Sequence, residues 1–535
     1  MTYTAHVDRF VLDHLPPPEQ WPEFLFDRPE LRFPERLNAA VRLLDDAVAE
    51  GHGEHLAVIG NDIGWTYAEL LLRVDQFAHL LVSEMGIQPG NRVLLRGTNT
   101  PWLALCWLAV WKVGAVAVGT MPLLRARELG EIIRLAQVQH ALCDARLVGE
   151  LIAAQDAGQP LAHVRLFGPG SDLETALAAQ PARFAAVETA SSDPALIAFT
   201  SGTTGIPKGT VHFHRDVMAM CEVFPRHCLK PTPDDIFIGT PPLAFTFGLG
   251  GLLCFPLWAR ASTVLLEKLS PEPLLMAIQQ HHATICFTSP TAYRQMAMLA
   301  ADHDLSSLKK CVSAGEALPT DTRDKWRAAT GIQIHDGIGG TEMIHIYIAS
   351  GPEDYRPGAV GRLLPGYHGT VVDDEMRPLP PGTIGRLAIK GPTGCRYLAD
   401  DRQRNYVRDG WNLPGDAFHM DEDGYFYYHA RVDDMIVTSG YNVSSPEVEW
   451  ALLAHPAVAE CGVVGVPDAE RGQIIKAFVV LKPGHRGDAA MSSELQAYVK
   501  RSVAPYKYPR AIRYVDSLPR TETGKLQRFR LRAMD

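Results

Sequence analysis

The sequence predicts an α/β protein: a large layered N-terminal domain of β-sheets flanked by helices, followed by a small α+β domain. Three observations lead there. Apolar strand-like runs alternate with helical stretches from about residue 55 to 190 and again over 263–315, the pattern of sheets covered by helices. The texture changes near residue 430, where about 100 residues follow with strands and helices of their own. The length, 535 residues, exceeds what a single hydrophobic core accommodates.

The elements follow in order. The first stretch, to about residue 45, is rich in proline, aromatics and charge (LPPPEQWPEF) and reads as an arm wrapping the main fold. RVLLRG (92–97) is a strand. WLALCWLAVW, ended by Lys112, predicts a buried helix over 102–112, too short to span a bilayer. AVAVG (115–119) is the next strand and 127–137 the next helix; TVLLE (263–267), TICFTS (284–289) and LKKCVSAG (308–315) repeat the pattern. No fixed-period repeat or low-complexity tract interrupts it. Beyond 430, RVDDMIVTSGYNVSSPEVEWALLAH reads as strand, glycine turn and helix start. Ser445 is the expected N-cap, with Pro446 first in the helix and Glu447 and Glu449 in its first turn. VAECGVVGV, IIKAFVVL and AIRYV are strands, with a helix in SSELQAYVKRSV. The domain boundary falls at 431–434, giving domains 1–431 and 432–535.

Bulk chemistry narrows the function. The net charge is −10, from 51 basic and 61 acidic residues. That balance argues against a nucleic-acid or membrane-surface partner, so any phosphate binding must be local. Nine scattered cysteines, an odd number without a CxxC pair, fit reduced thiols in a cytoplasmic protein. The N-terminus, MTYTAHVDRFVLDH, has no signal-peptide pattern. A monomer or homodimer is expected.

The densest local signal is FTSGTTGIPKGTVH (199–212). Glycines expose backbone N–H groups, hydroxyls add donors and Lys208 adds a cation, so the loop is built for a polyanion. It is not a Walker loop, because Lys208 follows Pro207 and TVHF after it reads as a strand. GLGG (248–251) lacks the GxGxxG spacing of a dinucleotide fold. His212 with His214, and His281 with His282, have no third ligand nearby in sequence and read as structural or surface histidines.

TSGTTGIPKG (200–209) resembles the phosphate loop of the adenylate-forming (AMP-binding) superfamily of acyl- and aryl-CoA synthetases, luciferases and peptide-synthetase adenylation domains. SAGEALP (313–319), DGIGGTE (336–342), GWNLPGDAFHMDEDGYFYYHAR (410–431), RVDDMIVTSGYNV (431–443) and PRTETGKLQR (519–528) agree with it in the same order. The resemblance implies attack of a carboxylate on the α-phosphate of ATP, then transfer of the acyl group to coenzyme A. It assigns Thr200, Ser201, Gly202, Thr203, Thr204, Gly205 and Lys208 to the ATP phosphates, Glu342 to Mg²⁺ and Thr341 to the α-phosphate. Gly315, Glu316, Ala317 and Asp336 would hold adenine, and Asp416 and Arg431 the ribose. Lys525, by composition alone a solvated lysine, would reach the α-phosphate during adenylation. Asp433 would be the hinge of a mobile C-terminal lid, with Ser439, Gly440 and Tyr441 lining the pantetheine tunnel. Many members carry IKVSG where this chain has IVTSG, so a lysine contact from position 437 is absent.

PLAFTFGLG (242–250) falls where relatives line the acyl pocket. Ala244, Phe245, Phe247, Ile338 and Gly339 would make a flat apolar slot suited to an aromatic ring, with His345 in reach of a carboxylate or ring substituent. The texture is most similar to benzoate and 2-aminobenzoate CoA ligases of aromatic-compound degradation, which favours 2-aminobenzoate and then benzoate. Alternatives are a medium-chain acyl-CoA synthetase, loading of a carrier protein in trans, luciferase-like oxidation, or a nucleotide sensor. The last would have no use for Lys525 or the hinge.

Overall fold

The structure, a computed structural model, describes residues 3–158, 160–200, 207–438, 441–468, 471–503, 505–520 and 526–534. The chain packs as two compact units, Met1–Gly369 with Ile389–Asn412, and Thr370–Ala388 with Leu413–Asp535.

The first unit contains two large sheets. One has six strands in the order His163–Phe167, His140–Asp144, Arg92–Arg96, Val116–Thr120, Pro194–Thr200 and Lys208–Phe213. All neighbours in it are parallel except the last pair, the hairpin that flanks the glycine-rich loop. The other has nine strands, with Ile334–Gly339, Lys310–Ser313, Ile285–Thr288, Ile236–Gly239, Ser262–Val264 and Leu56–Ile59 parallel at its centre. Parallel strands need helical crossovers, which is why strand-like and helix-like runs alternate in the sequence.

Helix starts are chemically marked. Thr66 caps Tyr67–Ser83 by accepting the Glu69 N–H, while Glu69 reaches back to the Thr66 N–H. Thr100 caps Pro101–Lys112, with Pro101 at the first position, and all twelve residues of that helix are buried. Lys112 at its end is fully buried and paired with Asp45 at 2.8 Å and with Asp75, which keeps the ammonium from being stranded in apolar surroundings. The N-terminal arm is held by Thr4, whose hydroxyl donates to Asp193 at 2.5 Å, and by Asp8, which accepts from Asn91 at 2.9 Å and pairs with Arg92.

The second unit holds the hairpin Asp416–Met420 and Phe426–Arg431, and a sheet of Tyr441–Ser444, Met435–Thr438, Gly472–Leu481, Val458–Asp468 and Ala511–Tyr514. Its apolar core includes Ile436, Val448, Val463, Ile475 and Leu495. The cap of Ser445–Leu453 corrects the sequence expectation. Ser444, in extended backbone, accepts the Glu447 N–H at 3.4 Å, and Ser445 is already helical and donates its hydroxyl to the Asp434 carbonyl at 2.9 Å. Glu449 turns inward, accepting the Val463 N–H at 2.8 Å. All nine cysteines are free, and all but Cys228 are buried. Among the described residues no helix is long and apolar enough to cross a membrane.

Candidate active site

Glu342 and Lys208 meet around one phenol. The strand Lys208–Phe213 starts at the lysine, and its Thr210 bridges to Tyr397. Tyr397 donates its hydroxyl to Glu342 Oε1 at 2.6 Å and accepts from Lys208 Nζ at 2.9 Å. The ammonium and the carboxylate themselves stay 3.7 Å apart. Burial and the adjacent Glu342 carboxylate push the Tyr397 hydroxyl far above its ordinary pKa, so it remains a donor at every working pH. Sequence reasoning missed Tyr397, because a single tyrosine in GPTGCRYLAD carries no spacing signal.

Thr341 and Glu342 lie on the one-turn 3₁₀ segment Thr341–Met343. The next residue, Ile344, has φ of 65° and is fully buried. A β-branched side chain in that region is strained, at a cost of about 1–3 kcal/mol. The turn is restrained by its neighbours. His212 Nε2 lies 2.6 Å from the Thr341 carbonyl, which can only accept, so that nitrogen bears the proton. His212 Nδ1 faces Asp216 at 3.6 Å, and Asp216 pairs with Arg396 at 2.6 Å. Burial opposes the charge of Asp216, but Arg396 and the hydrogen bonds win and hold its carboxyl below the usual range. Arg396 in turn lies 3.6 Å from the centre of the Phe213 ring and 4.5 Å from that of Phe24. His212 thus serves the turn as a structural group. His214 accepts the Ala39 N–H at 3.1 Å and is likewise structural.

Of the predicted adenine residues, Gly315, Glu316 and Ala317 follow the carboxyl end of the strand Lys310–Ser313, where ligands of α/β sheets bind, and Asp336 lies within the neighbouring parallel strand Ile334–Gly339. Ser313, two residues before Gly315, pairs in register with Asp336. Gly315 has φ of 89°, a left-handed conformation that suits glycine. Glu316 accepts from the Thr291 hydroxyl at 2.8 Å, and Ala317 is half-buried. Asp336 is buried, accepts the Gly337 N–H at 3.0 Å and pairs with Arg323 at 3.1 Å. Burial pushes its carboxyl up to about 7 against the opposing pull of Arg323. Arg323, on a surface-type helix sequence, was not foreseen. In the second unit Asp416 and Arg431 are cross-strand partners in register, 3.1 Å apart, and Arg431 also donates to the Pro414 carbonyl at 2.7 Å.

The predicted acyl-pocket residues are partly brought together. Phe247 and His345 have ring centres 5.7 Å apart. Phe255 lies edge-on to His345 at 4.5 Å, and Phe287 is 5.7 Å from Phe247. Those two phenylalanines were not foreseen, since apolar residues in strands and helices read as ordinary core. Ala244, Phe245 and Ile338 are half-buried and Gly339 is exposed, with no ring contact tying them to the cluster. His345 is 4% exposed, and burial drops its imidazole to about 3, so the ring is neutral. The Phe247 carbonyl faces the ring, but neither ring nitrogen closes a hydrogen bond of ordinary geometry.

Thr200 ends the strand Pro194–Thr200, and its buried Oγ1 has no partner among the described residues. Ser201, Gly202, Thr203, Thr204 and Gly205, Ser439 and Gly440, and Lys525 lie outside the described residues, as do the side chains of Asp433 and Tyr441. Asp433 belongs to the turn Val432–Asp434 and Tyr441 opens the strand Tyr441–Ser444.

The sequence matches the model of the AMP-binding enzyme family over residues 45–397 and that of the AMP-binding enzyme C-terminal domain over 447–525. A benzoate–CoA ligase of Thauera aromatica is 36% identical over 519 residues, covering 94% of this chain and 97% of its own. Among solved structures, the anthranilate CoA ligase AuaEII in complex with anthranoyl-AMP superposes with a TM-score of 0.88 at 32% identity, covering 95% of this chain and 99% of that one. A benzoate CoA ligase from Burkholderia xenovorans gives 0.84 at 31%, covering 92% and 99%. The chain therefore belongs to the AMP-binding enzyme family, as an AMP-forming acid–thiol ligase that uses ATP, Mg²⁺ and coenzyme A.

Proposed function

We propose that this protein is an aryl-CoA ligase, with 2-aminobenzoate ahead of benzoate as its acid. The observation that carries the aryl reading is the aromatic cluster of Phe247, Phe255, Phe287 and His345 at the predicted acyl pocket. Flat rings pack on flat rings with a gain beyond area burial. Neutral His345 has one donor and one acceptor nitrogen; the Phe247 carbonyl faces the ring, and among the described residues neither nitrogen closes a hydrogen bond of ordinary geometry. A 2-amino group would donate to the acceptor nitrogen, whereas benzoate leaves it unpaired. The structural likeness to a ligase solved with anthranoyl-AMP supports the same choice.

In this reading a carboxylate oxygen attacks the α-phosphorus of ATP, the bond to pyrophosphate breaks, and the acyl-adenylate forms. The thiolate of coenzyme A then attacks the acyl carbon and AMP departs. Thr200 to Gly205 with Lys208 hold the leaving phosphates, Thr341 the α-phosphate, and Gly315, Glu316, Ala317, Asp336, Asp416 and Arg431 the nucleoside. Mg²⁺, when bound, neutralises charge on the phosphates. Glu342 would hold it, since one carboxylate plus phosphate oxygens is a normal site for that ion and only Oε1 of Glu342 is engaged by Tyr397. Residues 432–535 act as the lid, turning at Asp433 to bring Lys525 in for adenylation and Ser439, Gly440 and Tyr441 in for thioester formation. A cytoplasmic location fits the nine free cysteines.

The test uses the purified protein with Mg-ATP and benzoates, aminobenzoates, hydroxybenzoates, phenylacetate and octanoate, reading pyrophosphate release and thioester mass with and without coenzyme A. Thioester formation with 2-aminobenzoate far ahead of octanoate supports the proposal. A preference for octanoate points to a medium-chain synthetase, and adenylate without thioester to a carrier-protein acceptor.

A further inference from the structure

Two adjacent residues, Arg396 and Tyr397, reach the Thr341–Glu342 turn by separate routes. Tyr397 touches Glu342 directly, through its hydroxyl. Arg396 pairs with Asp216, which packs against His212 Nδ1 at 3.6 Å without a hydrogen bond of ordinary geometry, and His212 Nε2 donates to the Thr341 carbonyl; all three side chains are fully buried. The dipeptide is itself fixed to the strand that carries Lys208: the Val211 N–H donates to the Arg396 carbonyl and the Leu398 N–H to the Gly209 carbonyl, each at 2.8 Å. One rigid segment therefore sets Lys208, Thr341 and Glu342 together, beside a backbone position, Ile344, that does not hold its conformation unaided.

From this arrangement we infer that Tyr397 and His212 are positioning residues for ATP and its metal, with the Tyr397 phenol acting as a spacer between Lys208 and Glu342. Lys208 and Glu342 carry opposite charges 3.7 Å apart, close enough to collapse into a direct ion pair. Such a pair would withdraw the cation meant for phosphate and the carboxylate meant for Mg²⁺. The phenol prevents this by donating to one and accepting from the other, at 2.6 and 2.9 Å. It leaves Glu342 Oε2 free of that bond and keeps the carboxylate's orientation constant before ATP arrives. His212 does the equivalent for the backbone, by holding the Thr341 carbonyl and with it the direction of the turn.

The inference rests on the reading of Lys208 and Glu342 given above, and the experiment separates the two. ATP binding to the full-length protein, without any acid present, is measured by calorimetry across a Mg²⁺ titration for wild type, Tyr397→Phe, His212→Gln, His212→Ala and Glu342→Gln. Tyr397→Phe keeps the ring and its packing. It is expected to raise the Mg²⁺ concentration for half-saturation about ten-fold, the usual effect of losing one hydrogen bond to a charged group, with melting temperature and KM for the acid unchanged. His212→Gln, which keeps an N–H near the Nε2 position, is expected to bind like wild type, and His212→Ala to show the Tyr397→Phe defect. Should His212→Ala fail to fold, Tyr397→Phe decides alone. Tyr397→Phe within two-fold of wild type, alongside a shifted Glu342→Gln, overturns the inference and leaves the Glu342 reading standing. An unshifted Glu342→Gln overturns both.

Discussion

Arg528 grips Glu449 through two guanidinium nitrogens, at 3.1 and 2.7 Å, and reaches Asp434 with a third at 3.4 Å. Arg532, one turn on, pairs with the other oxygen of Asp434 at 2.6 Å. The helix Arg528–Ala533 follows Lys525 closely in sequence, and Asp434 directly follows the hinge candidate Asp433. The C-terminal helix is thereby tied to Asp434, the residue after the hinge candidate. Arg528→Ala is expected to destabilise the protein by about 3 kcal/mol, because it strands the partly buried Glu449. Arg528→Lys should recover only part, lacking the planar fork. Urea unfolding measures both, and an unchanged midpoint for Arg528→Ala would show the tie to be unimportant.

Lys525 is expected to serve one half-reaction. Lys525→Ala should lower pyrophosphate release about 100-fold or more, the scale of removing one preorganised charge contact in a transition state. Thioester formation from preformed aryl-adenylate should survive within a few-fold. Rapid-quench assays of each half-reaction check this, and equal loss in both would remove the lysine from its proposed role.

Gly250 abuts the pocket wall. A Cβ built there would lie 2.5 Å from His345 Cδ2 and 2.8 Å from Nε2, and His345 is itself hemmed in by Phe255. Gly250→Ala should therefore displace the imidazole and weaken the aryl acid at least ten-fold while leaving the Kd of Mg-ATP unchanged. Steady-state kinetics with 2-aminobenzoate and calorimetry with ATP test the split. A parallel loss of ATP binding would mean that the mutation damages the fold and not the pocket.

Acid should destabilise the protein above the pH range in which ordinary carboxylates titrate. Burial holds His6, His140 and His335 neutral down to about 4, against 6.5 when unfolded. Their folded pKa values are depressed, so between pH 6.5 and 4 the unfolded chain binds more protons and stability falls as pH falls. Each contributes up to about 1.4 kcal/mol per pH unit in that window. Asp336 opposes them: its carboxyl is raised to about 7, so it favours the fold at low pH and loses that contribution as pH rises from 3.8 to 7. His214, His345 and His429, lowered by burial to about 3, 3 and 4, act the same way, and Asp45, also raised by burial, joins Asp336; the buried histidines outweigh the two carboxyls, and the urea midpoint should drop from pH 6.5 to 4.5. A midpoint that stays level or rises would contradict this balance.

The sequence by itself determined the α/β alternation, the buried helix at Pro101–Lys112 and the family motifs, because each rests on short-range pattern: apolar periodicity, caps, and hydroxyl–glycine spacing. It assigned Asp416 and Arg431 to one ribose from a single motif, and the fold sets the two side chains 3.1 Å apart. Only the tertiary structure decided that Tyr397 stands between Lys208 and Glu342, residues 189 and 55 positions away from it. The same holds for Arg323 facing Asp336 and for Phe255 and Phe287 closing on Phe247 and His345. Such partners leave no local trace, because burial and ion pairing are set by which strands the fold lays side by side. The N-cap expected at Ser445 went to Ser444 for a related reason: either serine satisfies the local rule, and the bond from Ser445 to the distant Asp434 carbonyl decided between them.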